Sequence, residues 1–200
     1  MTETVVTHPG EREPVAFTKA ELGWLPWLSP PSEGALTEVQ RDSLIDPSRA
    51  KSAYFRLLAR DPAILKARTL TDKDIFYNAK DGLPRAEREL SATAASRFNG
   101  CIYCASVHAR FASTFSKRGE DVQRLLDEGV ETDLGERWNA IVAASVALTA
   151  TPIAFGPEHV ARLRAAGLGD DEIVDVINGA SFFNWANRLM LSLGQPQSMT

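Results

Sequence analysis

Cysteine is scarce in this chain: of 200 residues, only Cys101 and Cys104 carry a thiol. A disulfide scaffold uses more cysteines, spread more widely, so a stapled fold is excluded. A lone pair two residues apart points instead to redox chemistry or metal binding. Basic tracts are missing as well. The longest is Lys117-Arg118 and the net charge is −4, which leaves no phosphate-binding surface and no nucleic-acid partner to expect. The stretch from Met1 to Gly10 lacks a basic start followed by an apolar run, so no secretory signal is expected. The longest uncharged run, Trp138 to Pro157, is rich in alanine and interrupted by Asn139, Ser145, Thr149, Thr151 and Pro152. A membrane span needs about 20 strongly apolar residues. This run reads as a helix buried in a core or a subunit interface, and the chain reads as cytoplasmic. Sustained two-residue alternation is also lacking, so no strand is predicted, and no repeat is found.

What is present is helical punctuation. Residues 1–45 carry Pro9, Gly10, Pro14, Pro26, Pro30, Pro31 and Gly34, a density that breaks regular structure. This part reads as an irregular N-terminal extension whose Trp24 and Trp27 pack on something, either the chain's own core or a neighbouring subunit. From residue 46 to 200 the text predicts one helical domain. Asp46-Pro47 and Asp61-Pro62 each read as an N-cap followed by a first-turn proline, and Asp72 to Lys80 as a further helix. Leu83-Pro84 opens a helix that Asn99-Gly100 breaks. A second helix runs from Cys101 to about Lys117, with Gly119 as its C-cap residue. Further helices are expected over Asp121–Asp127, Glu136–Ala150 and Pro157–Ala166, and a last one is capped by Asp170. The fold class is all-α, a helical bundle.

Chemistry concentrates in Asn99-Gly100-Cys101-Ile102-Tyr103-Cys104-Ala105-Ser106-Val107-His108. Cysteines at i and i+3 of a helix share a face, with Cα atoms about 5–6 Å apart, inside the disulfide window. Asn99-Gly100 places Cys101 at a helix N-terminus, where the dipole favours a thiolate. His108 lies one turn beyond Cys104, where an imidazole can accept the thiol proton. The two arguments favour different sulfurs, and spacing alone leaves the attacking one open. Glu89, on the preceding helix, can orient the imidazole if the turn folds that helix back; a salt bridge to Arg85 is its plainer reading. Zinc would need a fourth ligand beyond Cys101, Cys104 and His108, so no metal or cofactor is expected. Phe182, Phe183 and Trp185 read as packing residues sooner than as pocket walls. Asn184 and Asn187 read equally well as buried or as exposed.

Arg88-Glu89-Leu90, Ser96-Arg97-Phe98-Asn99-Gly100-Cys101-Ile102-Tyr103-Cys104 and His108 resemble the core of the AhpD-like alkylhydroperoxidase and carboxymuconolactone decarboxylase superfamily. Ala165 to Ile173 and Asn184 to Arg188 are similar to its C-terminal part. The resemblance implies an AhpD-like helical bundle that assembles as a homo-oligomer. It implies a thiol-dependent peroxidase in which Cys104 attacks a hydroperoxide substrate, Cys101 resolves the product as a disulfide, and His108 and Glu89 relay protons. A dithiol reductant, such as one of lipoyl type, would reopen the disulfide. Tyr103 stands where the best-known member carries a histidine, which shortens the relay. A non-redox lactone decarboxylase of the same superfamily and a non-catalytic redox sensor are the alternatives; the dithiol counts against the first.

Overall fold

The computed structural model describes residues 5–78 and 80–199. The extremes of the two predicted segments, at residues 1–4 and 200, lie outside it, as does position 79 of the predicted Asp72–Lys80 helix. Helices dominate: α1 (Glu38–Ser43), α2 (Ala53–Leu58), α3 (Pro62–Tyr77), α4 (Arg85–Phe98), α5 (Ile102–Ser116), α6 (Gly119–Glu128), α7 (Glu136–Thr149), α8 (Pro157–Ala165) and α9 (Asp170–Leu193). Among the described residues no helix is long and apolar enough to cross a membrane. The all-α expectation holds.

Helix α4 is the axis of the bundle, packed by α5, α7 and α9. Every residue from Glu87 to Ser96 is buried. Small side chains make this possible: Ala92, Ala94 and Ala95 are fully covered. On the α9 side a Cβ at Gly179 would collide with Ser91 Oγ. Buried charges need partners, and each charge on α4 has them. Both carboxylate oxygens of Glu87 accept from Arg137 of α7 at 2.8 Å. Arg88 donates to the carbonyls of Leu83, Ile75 and Asp81 and pairs with Asp175 of α9 at 2.9 Å.

Two expectations are corrected. The N-terminal extension is not irregular throughout. Thr37 caps α1 in a reciprocal box with Gln40. Leu22–Pro26 forms a strand, β1, that pairs antiparallel with β2, Gly194–Ser198, in the register Trp24↔Pro196. No strand was expected because both segments are five residues long, each contains proline, and the partner lies at the opposite end of the chain. Pairing continues beyond β1, with Trp27 N–H donating to Leu193 C=O at 2.8 Å and Val6 N–H to Trp27 C=O at 2.9 Å. The chain ends thus form a clasp, and it delivers Trp24 into the same apolar cluster as Cys101 and Cys104.

Boundaries differ as well. Asp61 caps a single sixteen-residue helix, α3, where two were expected. Asp46-Pro47 starts a 3₁₀ turn, with α2 following it. Helix α5 ends at Lys117 in the left-handed region, φ +61°, and Gly119 opens α6. Gly169 caps α9 and Asp170 is its first residue.

Candidate active site

The site is built around the turn between α4 and α5. Cys101 N–H donates to Ser96 C=O at 2.9 Å and Gly100 N–H to Arg97 C=O at 3.4 Å. Gly100 sits at φ +76°. This is the Schellman closure of a helix, with glycine in the position that favours a left-handed backbone. The closure reverses the chain at once. Cys101 is the last residue of that motif and also the N-cap of α5.

The N-cap position governs the thiols. The Cys101 thiol is lowered from its ordinary value, first by hydrogen bonding with the Cys104 side chain, against the cost of burial. The backbone N–H of Cys104 and the Asn187 side chain add to the lowering. Cys104 N–H is the third amide of α5, the one a helix-capping side chain normally engages. Cys104 moves the other way. Its thiol is raised well above the ordinary value, first by hydrogen bonding with Cys101 and then by burial, while Asn187 and Arg68 oppose. Of the two sulfurs, Cys101 is the one that gives up its proton the more readily. Both are free cysteines and both are buried, Cys101 at 1% exposure and Cys104 at 5%.

Glu89 and His108 form the second pair. The Schellman turn folds α5 back along α4, so His108 Nδ1–H donates to Glu89 Oε2 at 2.5 Å. The other oxygen, Oε1, accepts from Arg85 Nε at 2.6 Å and from Arg85 Nη2 at 2.5 Å. The salt bridge and the imidazole contact therefore coexist on one fully buried carboxylate. Arg85 is held in turn by four rings, with its guanidinium carbon 4.2 Å from the centroid of Tyr77 and 5.1–5.7 Å from those of Phe115, Phe111 and Phe76. It lines a cavity of about 430 Å³ together with Phe76, Tyr77, Leu83 and Phe115. Arg85 is the most exposed of these three side chains.

All four predicted residues thus fall in one region, arranged as two pairs. Among the described residues no hydrogen bond joins the imidazole to either sulfur. Phe76 and Phe183 touch the His108 ring at centroid distances of 5.3 and 3.9 Å and belong to the cluster that contains the cysteines. Phe182, Phe183 and Trp185 make a chain of edge contacts, so packing is their first role. Burial is the first cause that pushes the Tyr103 phenol above its ordinary value, so it stays a neutral donor. No group of three or more His, Cys, Asp or Glu side chains converges as a metal site among the described residues.

Two further contributors were not assigned a role by sequence reasoning. Asn187 is fully buried; its Nδ2 donates to Ser96 Oγ at 3.0 Å, and its Oδ1 accepts from Asn99 Nδ2 at 3.1 Å. Asn99 Nδ2 also donates to Asn184 Oδ1 at 3.2 Å. The signal was an asparagine on the apolar stripe of α9 at a helical step from Phe183. Tyr54 is the other. It lies edge-on to Trp24 at 5.2 Å, and burial drives its phenol far above the ordinary range, with the nearby thiols adding to the shift.

Residues 62–147 match the carboxymuconolactone decarboxylase family. No curated protein matches the chain in sequence. Among solved structures, the fold is similar to an uncharacterised peroxidase-related protein with an alkylhydroperoxidase AhpD core from Ralstonia eutropha. That match has 21% identity, a TM-score of 0.71, and covers 96% of this chain and 95% of the other. A peroxidase-related protein from Silicibacter matches at 21% identity and a TM-score of 0.68, with the same coverage. A cysteine-to-alanine variant of the debrominase Bmp8, in complex with 2,3,4-tribromopyrrole, matches at 18% identity and a TM-score of 0.63, covering 82% of this chain and 87% of the other.

Proposed function

We propose that this chain, a member of the AhpD-like and carboxymuconolactone decarboxylase superfamily, is a thiol-dependent peroxidase that cycles Cys101 and Cys104 between dithiol and disulfide. One observation carries the reading: two free thiols that hydrogen-bond to each other stand at the N-terminus of α5, in the same region as a buried Glu89–His108 pair. A lactone decarboxylase has no use for that dithiol.

Cys104 is the sulfur that attacks. The resemblance points to this residue. In the resting pair it is a thiol, so it hands its proton to the Cys101 thiolate as it reaches the terminal peroxide oxygen. The O–O bond breaks, the S–O bond forms, and the departing alkoxide takes that proton to leave as alcohol. Cys101, again a thiolate, displaces hydroxide from the Cys104 sulfenic acid, and the S–S bond forms. The hydroxide is protonated from solvent through His108, whose Nδ1–H stays anchored on Glu89. The balance is one thiolate, one thiol, one hydroperoxide and one proton in; one disulfide, one alcohol and one water out. A dithiol reductant, of lipoyl type or similar, restores the pair.

The test is turnover with several hydroperoxides and several dithiols, on the wild type and Cys104→Ser. Turnover that Cys104→Ser abolishes supports the reading. A protein that forms the disulfide reversibly yet turns over no hydroperoxide with any dithiol is a redox sensor instead.

A further inference from the structure

The cavity beside Arg85 has no part in the dithiol cycle. It measures about 430 Å³, within the range of roughly 300–1,000 Å³ that small-molecule sites occupy. Neither sulfur lines it. Phe76 does, and the same ring touches His108. Tyr77 and Phe115 line it too, although they are 61% and 51% exposed. Apolar surface gathered in one exposed place marks a binding site. Two arginines reach this cavity. Arg88 is fully engaged, by the carbonyls of Leu83, Ile75 and Asp81 and by the Asp175 carboxylate. Arg85 is not. A guanidinium offers two edges, each with a pair of parallel N–H groups. The edge made by Nε and Nη2 is turned to Glu89 Oε1, at 2.6 and 2.5 Å. On the other edge, Nη1 meets no acceptor among the described residues, and the side chain keeps 19% of its surface exposed. Lys80 and Asp81 bring opposite charges to the lining, so Arg85 decides which sign of ligand it favours.

We propose that this cavity binds a small organic acid, with the carboxylate on the Nη1/Nη2 edge of Arg85 and the apolar body against Tyr77, Leu83 and Phe115. A planar carboxylate matches the parallel N–H pair of a guanidinium edge, and such two-point contacts are the strong ones. The rings of Tyr77, Phe115, Phe111 and Phe76 surround the guanidinium carbon at 4.2–5.7 Å, which lowers the screening of that contact. Glu89 need not be displaced. Arg137 of the same chain bonds two carboxylates at once, those of Glu87 and Glu172. A monoanion fits better than a phosphate dianion, because apolar walls desolvate every charge and the cavity has one cation to offset it. The bound acid touches the relay through Arg85, which holds Glu89, which holds His108. It does so from the side of the cavity, without contact to the sulfurs, and it does not depend on the proposed dithiol cycle.

The probe is phenylacetate, with phenylacetamide as its neutral counterpart of the same shape. Each is titrated into the full chain without peroxide or dithiol, and followed by calorimetry and by the Arg85 Nε–H resonance. Phenylacetate should bind at one site, about tenfold or more tighter than the amide, as a charge-assisted contact implies. The Nε–H resonance should move along the same saturation curve. Equal binding of acid and amide, acid binding that leaves Nε–H unmoved, or no acid binding at millimolar concentration each overturns the assignment. Arg85→Met should weaken phenylacetate about tenfold or more and leave the amide unchanged. That variant strands the buried Glu89 carboxylate, so a second one keeps the test decisive if it does not fold. Phe115 is half exposed, with its ring centre 5.1 Å from the Arg85 guanidinium carbon. Phe115→Glu therefore supplies a tethered carboxylate to the same edge and should block phenylacetate; unchanged affinity overturns the site. No arm involves turnover, so an absence of peroxidase activity refutes the proposed function without touching this one.

Discussion

Replacing Glu89 with glutamine removes one charge, keeps the shape and reverses one hydrogen bond. Glutamine Oε1 still accepts from Arg85, as Glu89 Oε1 does now. Its NH₂ group then occupies the place of Oε2, opposite His108 Nδ1. An amide N–H needs an acceptor there, so the imidazole proton moves to Nε2. The ring loses the free lone pair that receives a proton. General acid–base assistance is worth about a hundredfold or more, and peroxide-driven oxidation of the pair should slow by about that factor near pH 7. The Arg85 charge also loses its carboxylate. The Arg85 side chain is one-fifth exposed and caged by rings, so the stability cost is the modest one of a partly solvated pair, about 1–3 kcal/mol. For a chain of this size that is a drop of several degrees in Tm, roughly 2–4 °C per kcal/mol. The assay is rapid mixing with a hydroperoxide, quenching and counting free thiols, from pH 6 to 9. The defect should persist up to pH 9, because in the proposed cycle the relay serves the leaving hydroxide and not the Cys104 proton, which Cys101 takes. His108→Gln should show the same profile. If Glu89→Gln matches the wild type at every pH while His108→Gln does not, Glu89 is a structural carboxylate and the tautomer argument is wrong.

Trp24→Ala should open the clasp over the thiols. The ring is buried against Tyr54, so truncation should cost about 3–5 kcal/mol and speed iodoacetamide labelling of the reduced cysteines; labelling at the wild-type rate would show that β1 does not shield them. Arg137→Ala should destabilise the α4–α7 contact by about 1–3 kcal/mol in guanidinium unfolding, because it strands the buried Glu87 carboxylate. Arg137→Lys should recover only part of that loss, since a lysine cannot bond both Glu87 oxygens as the guanidinium does. Full recovery would place the effect in charge alone.

Local signals were legible wherever one residue acts through its own backbone neighbours. Asn99-Gly100 marked the end of α4, and the structure supplies the reason: Gly100 takes the left-handed position of a Schellman closure. Pro84, Asp61 and the Glu136–Ala150 run marked helices within a residue or two. Gly119 misled because Lys117 accepted the left-handed backbone two residues earlier. The clasp could not be seen at all. Leu22–Pro26 and Gly194–Ser198 have no strand pattern of their own, and each becomes a strand only because the other lies alongside.

The site divides along the same line. Helical spacing places Cys104 and His108 on one face of α5, and from that alone the imidazole reads as the base of the nearer thiol. Spacing says nothing about what fills the gap between two side chains. Here Phe183 and Phe76 pack against the ring, and the imidazole turns Nδ1 to Glu89. The Cys104 thiol has a hydrogen-bonding partner in the other sulfur, whose own thiol that contact lowers from its ordinary value. This removes the conflict between the two sequence arguments. In the proposed cycle the more acidic thiol is Cys101, at the helix end, and the peroxide oxygen is attacked by Cys104. One sulfur is both the proton acceptor for the attack and the nucleophile that resolves it. A dithiol arranged this way needs His108 only after the O–O bond has broken, when a leaving hydroxide must be neutralised. The imidazole, packed against Phe76 and Phe183 and turned to Glu89, serves that later step of the proposed cycle.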